Sequence, residues 1–104
     1  TVRLSTNTSN KQARFDEIKQ SGENVVLYIG DNLNDFGGAT WHKNNAERRA
    51  FVSTNHALFG TQFIILPNPE YGDWESGLAD GYNKLSDQQK IQVREQNLRA
   101  WNGK

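Results

Sequence analysis

The chain has 104 residues, 35% of them hydrophobic, and its 12 basic and 12 acidic side chains balance at neutral pH. This length allows one modest core, and the composition excludes both a strongly basic nucleic-acid-binding surface and a membrane-spanning segment. Cysteine is absent, which excludes a disulfide scaffold and a thiolate metal site.

The N-terminal part predicts a short strand at residues 2–4, followed by a helix that ends near Gln20. Ser9 is the expected N-cap, and Gln12 is its partner in a capping box three residues later. Lys11 then falls in the first helical turn, where a cation opposes the helix dipole. Lys11 therefore either interacts with an anionic ligand or with a cluster of carboxylates, or it is an ordinary surface lysine.

Residues 25–29 (VVLYI) form an unbroken apolar run, typical of a parallel strand that is covered on both faces. Gly30 ends the run, and Asp31 and Asp35 follow. Because ligands of open α/β sheets bind just beyond the carboxyl ends of strands, both carboxylates are candidate site residues. Oxygen ligands favour Mg²⁺ over Zn²⁺. The alternative is a solvated turn with helix-capping aspartates.

A second helix is predicted to begin at Asn44 or Asn45 and to run to about Phe59, with Gly60 as its C′ residue. Its candidate apolar contacts are Ala46, Ala50, Phe51, Ala57 and Leu58. A second buried strand follows at residues 62–66 and stops at a proline. The aromatic residues of the next loop are expected at the same sheet edge as the aspartates.

Ser86 and Gln89 form another capping box and begin the last predicted helix, in which Ile91, Leu98 and Trp101 fall near one face. The order is then strand, helix, strand, helix, strand, helix. This alternation predicts an α/β fold with a parallel sheet and flanking helices. The sequence shows no repeat, low-complexity tract or interdomain linker.

Five segments together resemble the C-terminal half of a class C acid phosphatase: Lys11, residues 30–37 (GDNLNDFG), 59–60 (FG), 66–68 (LPN) and 71–75 (YGDWE). These enzymes are the bacterial lipoprotein acid phosphatases and 5′-nucleotidases of the haloacid dehalogenase superfamily. The similarity covers nearly the whole chain. It implies a Rossmann-like parallel sheet, of which residues 1–104 would be the C-terminal portion of a single phosphatase domain.

The nucleophile motif of that family is missing from this chain. Family members carry Asp-x-Asp-x-Thr, in which the first aspartate is the nucleophile and the second is the general acid. None of the six aspartates here is followed two residues later by another: 16, 31, 35, 73, 80 and 87. The resemblance therefore implies half of an active site. Because the chain begins Thr1-Val2-Arg3, we expect a processed or excised segment.

For an intact protein, the resemblance implies an acid phosphatase or 5′-nucleotidase that hydrolyses phosphate monoesters, including nucleoside monophosphates, through an aspartyl-phosphate intermediate. Asp31 would bind Mg²⁺, Lys11 would hold the nucleophile, and Asp35 would orient Lys11 or the water ligands of the metal. Tyr71 would stack on the base of a nucleotide, although a tyrosine that packs the loop is the equal alternative. The chain alone is predicted to be inactive.

The missing nucleophile strand would leave one edge of the strand at residues 25–29 open. An exposed edge pairs with available strands, so we expect a complementary N-terminal segment or a second copy of this chain as partner. The alternative function is a non-catalytic, Mg²⁺-binding or domain-swapped α/β fragment. A phosphorylation-receiver domain is a weaker candidate. By resemblance the location is periplasmic, anchored to the outer membrane or at the cell surface, and no nucleic acid or membrane contact is expected from this segment itself.

Overall fold

The computed structural model describes residues 8–103, so the predicted strand at residues 2–4 lies outside the described part. Four helices and two strands follow in chain order: α1 (Gln12–Gln20), β1 (Tyr28–Gly30), α2 (Asn45–Thr54), β2 (Phe63–Ile65), α3 (Asp73–Ser76) and α4 (Asp87–Asn97). Short 3-10 helices lie between them at Leu33–Phe36, Gly38–Thr40, His56–Leu58 and Tyr82–Lys84. None of the helices within residues 8–103 is long and apolar enough to cross a membrane.

The two strands pair in parallel, with Tyr28 opposite Phe63 and Gly30 opposite Ile65. Helix α2 lies in the connection between them, as parallel pairing requires, because a tight turn cannot join parallel strands. Both strands are shorter than the apolar runs that predicted them. Because the strands are parallel, their carboxyl ends lie at the same edge of the sheet, and residues 31–36 and 66–74 continue from that edge.

Aromatic rings form the core on one face of this sheet. The ring of Phe36 stacks on Phe63 with 4.9 Å between centroids, and Phe59 meets both rings edge-on at 5.7 and 5.5 Å. Tyr28 contacts Phe63 edge-on at 5.5 Å and Phe15 of α1 at 5.1 Å. Since Phe36 ends the 3-10 helix after β1, this cluster fixes that helix against the sheet.

The expected burial of the first apolar run is wrong for this chain. Val26 is 75% exposed and Ile29 is 59% exposed, and Leu27 is also open to solvent. Within residues 8–103, β1 has a strand neighbour on one edge only, because the sheet holds two strands. The apolar run is typical of a strand that is buried in a sheet. In the described residues, however, much of the run is exposed and β1 has a neighbouring strand on only one edge.

Helix α2 begins where the sequence predicts but ends earlier. Asn44 caps it, and the capping box with Glu47 is present in both directions, at 2.9 and 3.1 Å. The helix stops at Thr54 instead of continuing to Phe59, and a separate 3-10 turn fills the interval. Gly60 has a φ of 87°, so glycine ends this turn in the left-handed region, as expected of a terminator.

Helix α4 shows the same pattern of a correct start and a shifted end. The Ser86 hydroxyl accepts from the Gln89 backbone amide and the Gln89 Oε1 accepts from the Ser86 backbone amide, which confirms the predicted capping box. The helix ends at Asn97, so Leu98 and Trp101 lie beyond it and are exposed. The predicted shared face with Ile91 is therefore wrong.

Candidate active site at the carboxyl edge of the sheet

The segment after β1 folds back on itself through a third capping box, between Asn32 and Asp35. The Asn32 side chain accepts from the Asn34 amide at 3.1 Å, and the Asp35 carboxylate accepts from the Asn32 amide at 3.1 Å. This places Asp35 directly over Gly30, where a Cβ atom would overlap the Asp35 side chain. Glycine at the strand end is thus required by the close approach of a carboxylate, which periodicity alone does not reveal.

Lys11 and Asp35 form an ion pair across 24 residues of sequence. The Lys11 Nζ donates to Asp35 Oδ1, and the Asp35 side chain is 8% exposed while that of Lys11 is 42% exposed. The two carboxylate oxygens of Asp35 are therefore both used, one by an ammonium group and one by a backbone amide. A carboxylate held in this way positions a cation more readily than it binds a further ligand.

Lys11 reaches this position because α1 begins differently from the prediction. Lys11 itself is the N-cap residue and makes no capping side-chain bond, so the Ser9–Gln12 capping box is wrong. Gln12 instead accepts from the Gly38 amide at 2.8 Å and donates to Asp16 at 2.8 Å. A tertiary hydrogen bond to the turn after the aspartates replaces the expected local bond.

Asp31 differs from Asp35 in that it is exposed and only lightly held. Its Oδ2 accepts from the Asn68 Nδ2 at 3.1 Å. Among residues 8–103 there is no group of three or more His, Cys, Asp or Glu side chains placed to hold a metal ion. Of the two predicted carboxylates, Asp31 is thus the one with an oxygen that makes no hydrogen bond to the part of the chain that the structure describes.

Tyr71 lies on the loop between β2 and α3, and 67% of its surface is exposed. Its backbone is held by the Trp74 indole, which donates to the Tyr71 carbonyl at 3.0 Å, and by Asn68, which accepts from the Tyr71 amide at 3.3 Å. The ring of Tyr71 is therefore presented by a fixed backbone.

A groove of about 530 Å³ opens beside Asp31. Its lining includes Asn68, Trp74, Leu66 and Val52 of α2. This volume lies within the usual range of about 300–1,000 Å³ for small-molecule sites. The carboxyl edge of the sheet thus combines an exposed carboxylate with a mixed polar and apolar cavity.

Sequence reasoning missed a buried arginine behind this edge. Arg48 of α2 is 5% exposed, and its guanidinium donates to Asn32 Oδ1 at 3.0 Å, Asn34 Oδ1 at 3.2 Å and the Thr40 carbonyl at 3.1 Å. Burial lowers the pKa of Arg48, and the charge of Asp73 opposes that shift. The guanidinium holds the loop that carries both aspartates.

Asn34 extends this network toward α3. It accepts from the Thr40 hydroxyl at 2.8 Å and donates to Asp73 Oδ2 at 2.5 Å.

Three residues predicted to make apolar contacts in and after α2 are exposed: Ala46, Ala50 and Ala57. The signal that could have found the buried face is the spacing of Arg48 to Phe51, three residues apart on one side of a helix.

The fold and this edge define the class of protein. A parallel βαβ unit, with a lysine–aspartate pair and a second aspartate beyond the first strand, is an α/β architecture with its polar site at the strand ends. The model of the haloacid dehalogenase superfamily, subfamily IIIB (acid phosphatase), matches residues 2–74. Because this is more than half of the chain, the protein belongs to that acid phosphatase family.

Two solved structures agree with this assignment. The class C acid phosphatase from Bacillus anthracis superimposes with a TM-score of 0.81 at 39% sequence identity, over 95% of this chain and 41% of that chain. The tungstate-bound crystal structure of the class C acid phosphatase from the same organism gives the same TM-score and coverage at 38% identity. The predicted family and α/β fold class are confirmed, and the chain spans 41% of the length of these relatives.

Proposed function

We propose that this chain is the C-terminal half of a Mg²⁺-dependent acid phosphatase that hydrolyses phosphate monoesters, including nucleoside 5′-monophosphates. The observation that carries the proposal is the ion pair of Lys11 with Asp35, beside the exposed Asp31, at the strand end of a chain in the acid phosphatase family. These are the residues that the motif resemblance assigns to the site. A location at the outer membrane or cell surface stays a prediction from the same resemblance.

The donor atoms at this edge fit Mg²⁺ in kind. Toward the described residues, Asp31 has a carboxylate oxygen without a hydrogen bond, and the chain contains no cysteine that could supply a sulfur ligand. Mg²⁺ is commonly bound by one or two carboxylates, and its other positions are taken by water and substrate phosphate. We therefore assign Asp31 as the ligand from this chain, with at least one further carboxylate from elsewhere. When bound, the ion neutralises negative charge on the reacting phosphate.

Lys11 supplies the second positive charge. Its ammonium group is held by Asp35, which is buried and cannot move away without breaking the bond to the Asn32 amide. A fixed ammonium group near the strand end stabilises the charge on the equatorial oxygens of a transferring phosphoryl group. Asp35 is in this scheme a positioning residue for Lys11.

The nucleophile comes from outside these 104 residues, since the chain contains no Asp-x-Asp pair. In the proposed reaction, an aspartate carboxylate attacks phosphorus and the ester oxygen leaves with a proton from a general acid. Water then hydrolyses the aspartyl-phosphate and releases inorganic phosphate. In both steps Lys11 would stabilise negative charge on the phosphoryl group, and a metal ion held by Asp31 would add positive charge there.

The open edge of β1 is our proposed docking place for the segment that carries this nucleophile. Exposed Ile29 belongs to β1 and exposed Val26 and Leu27 directly precede it, and a cavity of about 220 Å³ is lined by Tyr28, Ile29, Phe15 and Lys11 among others. A strand added here would lie next to Asp31 and would cover the apolar run. Exchange with a second copy of this chain is the alternative occupant.

The test compares the chain alone with the restored phosphatase, by which we mean this chain together with the N-terminal segment that completes the fold of the Bacillus anthracis enzyme. We expect no release of phosphate from p-nitrophenyl phosphate by the chain alone. The restored phosphatase should be active with Mg²⁺, inactive in EDTA and inactive as Asp31→Asn. An inactive restored phosphatase would refute the function. Hydrolysis by the chain alone that is lost in Asp31→Asn would refute the assignment of the nucleophile to another segment.

A further inference from the structure

Asn68 connects two parts of the site with the two ends of one amide. Its Nδ2 donates to Asp31 Oδ2 at 3.1 Å. Its Oδ1 accepts from the Glu70 amide at 3.2 Å and from the Tyr71 amide at 3.3 Å. The same side chain therefore touches the predicted metal ligand and the backbone of the predicted substrate-stacking residue.

The chemistry of these partners fixes the orientation of the amide. An ionised carboxylate only accepts hydrogen bonds and a backbone amide only donates them, so the nitrogen must face Asp31 and the oxygen must face the loop. Prolines at positions 67 and 69 flank Asn68. They restrict the backbone on both sides, because proline fixes its own φ and disfavours the helical region in the residue before it.

No other side chain within the described part of the chain hydrogen-bonds Asp31. The loop that bears Tyr71 has one further tie, the bond from the Trp74 indole to the Tyr71 carbonyl. Loss of Asn68 would therefore free the Asp31 carboxylate completely and the Tyr71 backbone in part. This asymmetry allows the two connections to be measured separately.

We propose that Asn68 is a positioning residue that couples the metal-binding carboxylate of Asp31 to the stacking ring of Tyr71. The proposal rests on the proposed phosphatase function and extends it to nucleotide selection. Through its donor end, Asn68 holds Asp31 in the orientation that binds the metal. Through its acceptor end, it holds the turn that presents Tyr71 to the base of the substrate.

Two substitutions of Asn68 in the restored phosphatase separate these roles. Asn68→Ala removes both ends. Asn68→Ser keeps a short acceptor that can still bond the amides of the turn, but its hydroxyl is too short to reach Asp31. Asn83→Ala is the matched control, because Asn83 is exposed and lies away from Asp31 in sequence, in the 3-10 helix Tyr82–Lys84.

The first measurement is adenosine binding by calorimetry in EDTA, which needs neither metal nor catalysis. We expect Asn68→Ala to weaken adenosine binding about two- to tenfold, the effect of one neutral hydrogen bond. Asn68→Ser and Asn83→Ala should bind as the wild type does. Because Asn68 acts through Tyr71, the double variant Asn68→Ala/Tyr71→Ala should bind no more weakly than Tyr71→Ala alone.

The second measurement is the Mg²⁺ concentration that gives half-maximal phosphate release. Both Asn68→Ala and Asn68→Ser should raise it about tenfold, the lower end of the effect that is usual when a ligand loses its supporting hydrogen bond. Asn83→Ala should leave it unchanged. Thermal melts of all variants confirm that the compared proteins are folded.

Three results would overturn the coupling: unchanged adenosine affinity in Asn68→Ala, a double variant that is weaker than Tyr71→Ala alone, or a Mg²⁺ dependence that is unaltered in both Asn68 variants. Absence of adenosine binding to the wild type would overturn it as well. In each case phosphate release by the wild-type restored phosphatase shows that the enzyme function stands. Only an inactive wild type would remove both proposals.

Discussion

Asp31 and Asp35 lie four residues apart but differ in burial. Replacement by asparagine should therefore abolish activity with little loss of stability at Asp31, and should lower stability with part of the activity kept at Asp35. In Asp31→Asn the change falls on an exposed side chain with one hydrogen bond, from Asn68. We expect the free energy of unfolding of the restored phosphatase to change by less than about 0.5 kcal/mol, as at most surface sites. Its Mg²⁺-dependent phosphate release should disappear.

In Asp35→Asn the balance is reversed. The buried carboxylate loses its charge, which weakens its bonds from the Lys11 ammonium and the Asn32 amide. Because Lys11 is 42% exposed, we assign its ion pair only about 0.5 kcal/mol. Replacing a charged acceptor by a neutral one at the amide costs about 1 kcal/mol more. A total of about 1.5 kcal/mol lowers the melting temperature by roughly 3–6 °C in a domain of about 150–250 residues. Part of the activity should remain, since Lys11 is still present.

The assay pairs initial rates of phosphate release over a range of Mg²⁺ concentrations with thermal melts of the same samples. Asp80→Asn is the control, since Asp80 is an exposed aspartate outside the site. Wild-type Mg²⁺ affinity in Asp31→Asn would refute the ligand assignment. An Asp35→Asn variant with full thermal stability and no activity would show that Asp35, and not Asp31, carries the chemistry.

Three other substitutions test separate parts of the structure. Gly30→Ala places a methyl group on the Asp35 side chain, so calorimetry should show a loss of about 1–3 kcal/mol in stability, and unchanged stability would contradict the close approach. Tyr71→Ala should lower kcat/KM about tenfold more for a nucleoside monophosphate than for a small alkyl phosphate, and Tyr71→Phe should alter neither; equal losses would assign the ring to loop packing. The hydrogen bond from Arg94 lowers the pKa of Glu75, so its stabilisation is present above the unfolded pKa of about 4.3 and is lost as the pH falls through the lower folded value. Denaturation at several acidic pH values should therefore show a shallower loss of stability in Glu75→Gln than in the wild type.

The parts of the fold that the sequence predicts well are those decided by neighbours along the chain. The predicted cap at Asn44 and the predicted box of Ser86 with Gln89 both form, because the capping partners lie within one helical turn. The box predicted at Ser9 fails because Gln12 has a tertiary partner, the Gly38 amide. A local pattern thus holds only where no distant group competes for the same atoms.

Burial was harder to predict, because hydrophobic pattern tells which side chains favour a covered position but not which atoms cover them. Tyr28 and Phe63 cover each other, since they lie opposite one another on the two paired strands. Val26 and Ile29 belong to the same apolar run as Tyr28 and are largely exposed. The mismatch between their sequence and their environment is itself informative, because it marks the edge where we place the partner segment.

The candidate site also contains some residues that the sequence motifs include and others that they do not. The motif resemblance predicts Lys11, Asp31 and Asp35 as site residues, and the structure brings Lys11 and Asp35 together in an ion pair. The motifs do not include Arg48, which is placed by hydrogen bonds to residues up to 16 positions away. Asn34 joins the loop to Asp73 across 39 positions.

These long-range hydrogen bonds explain how the short segment at residues 31–36, which carries Asp31 and Asp35, keeps its conformation. A loop of a few residues cannot satisfy its own polar groups when it is pressed against a sheet, so buried donors must come from elsewhere in the chain. Arg48 of α2 donates to Asn32 and Asn34 of this loop and to the Thr40 carbonyl after it, and Asn68, which follows β2, donates to the exposed Asp31. The geometry of the loop that carries Asp31 and Asp35 therefore depends on two elements that no motif of the loop itself encodes.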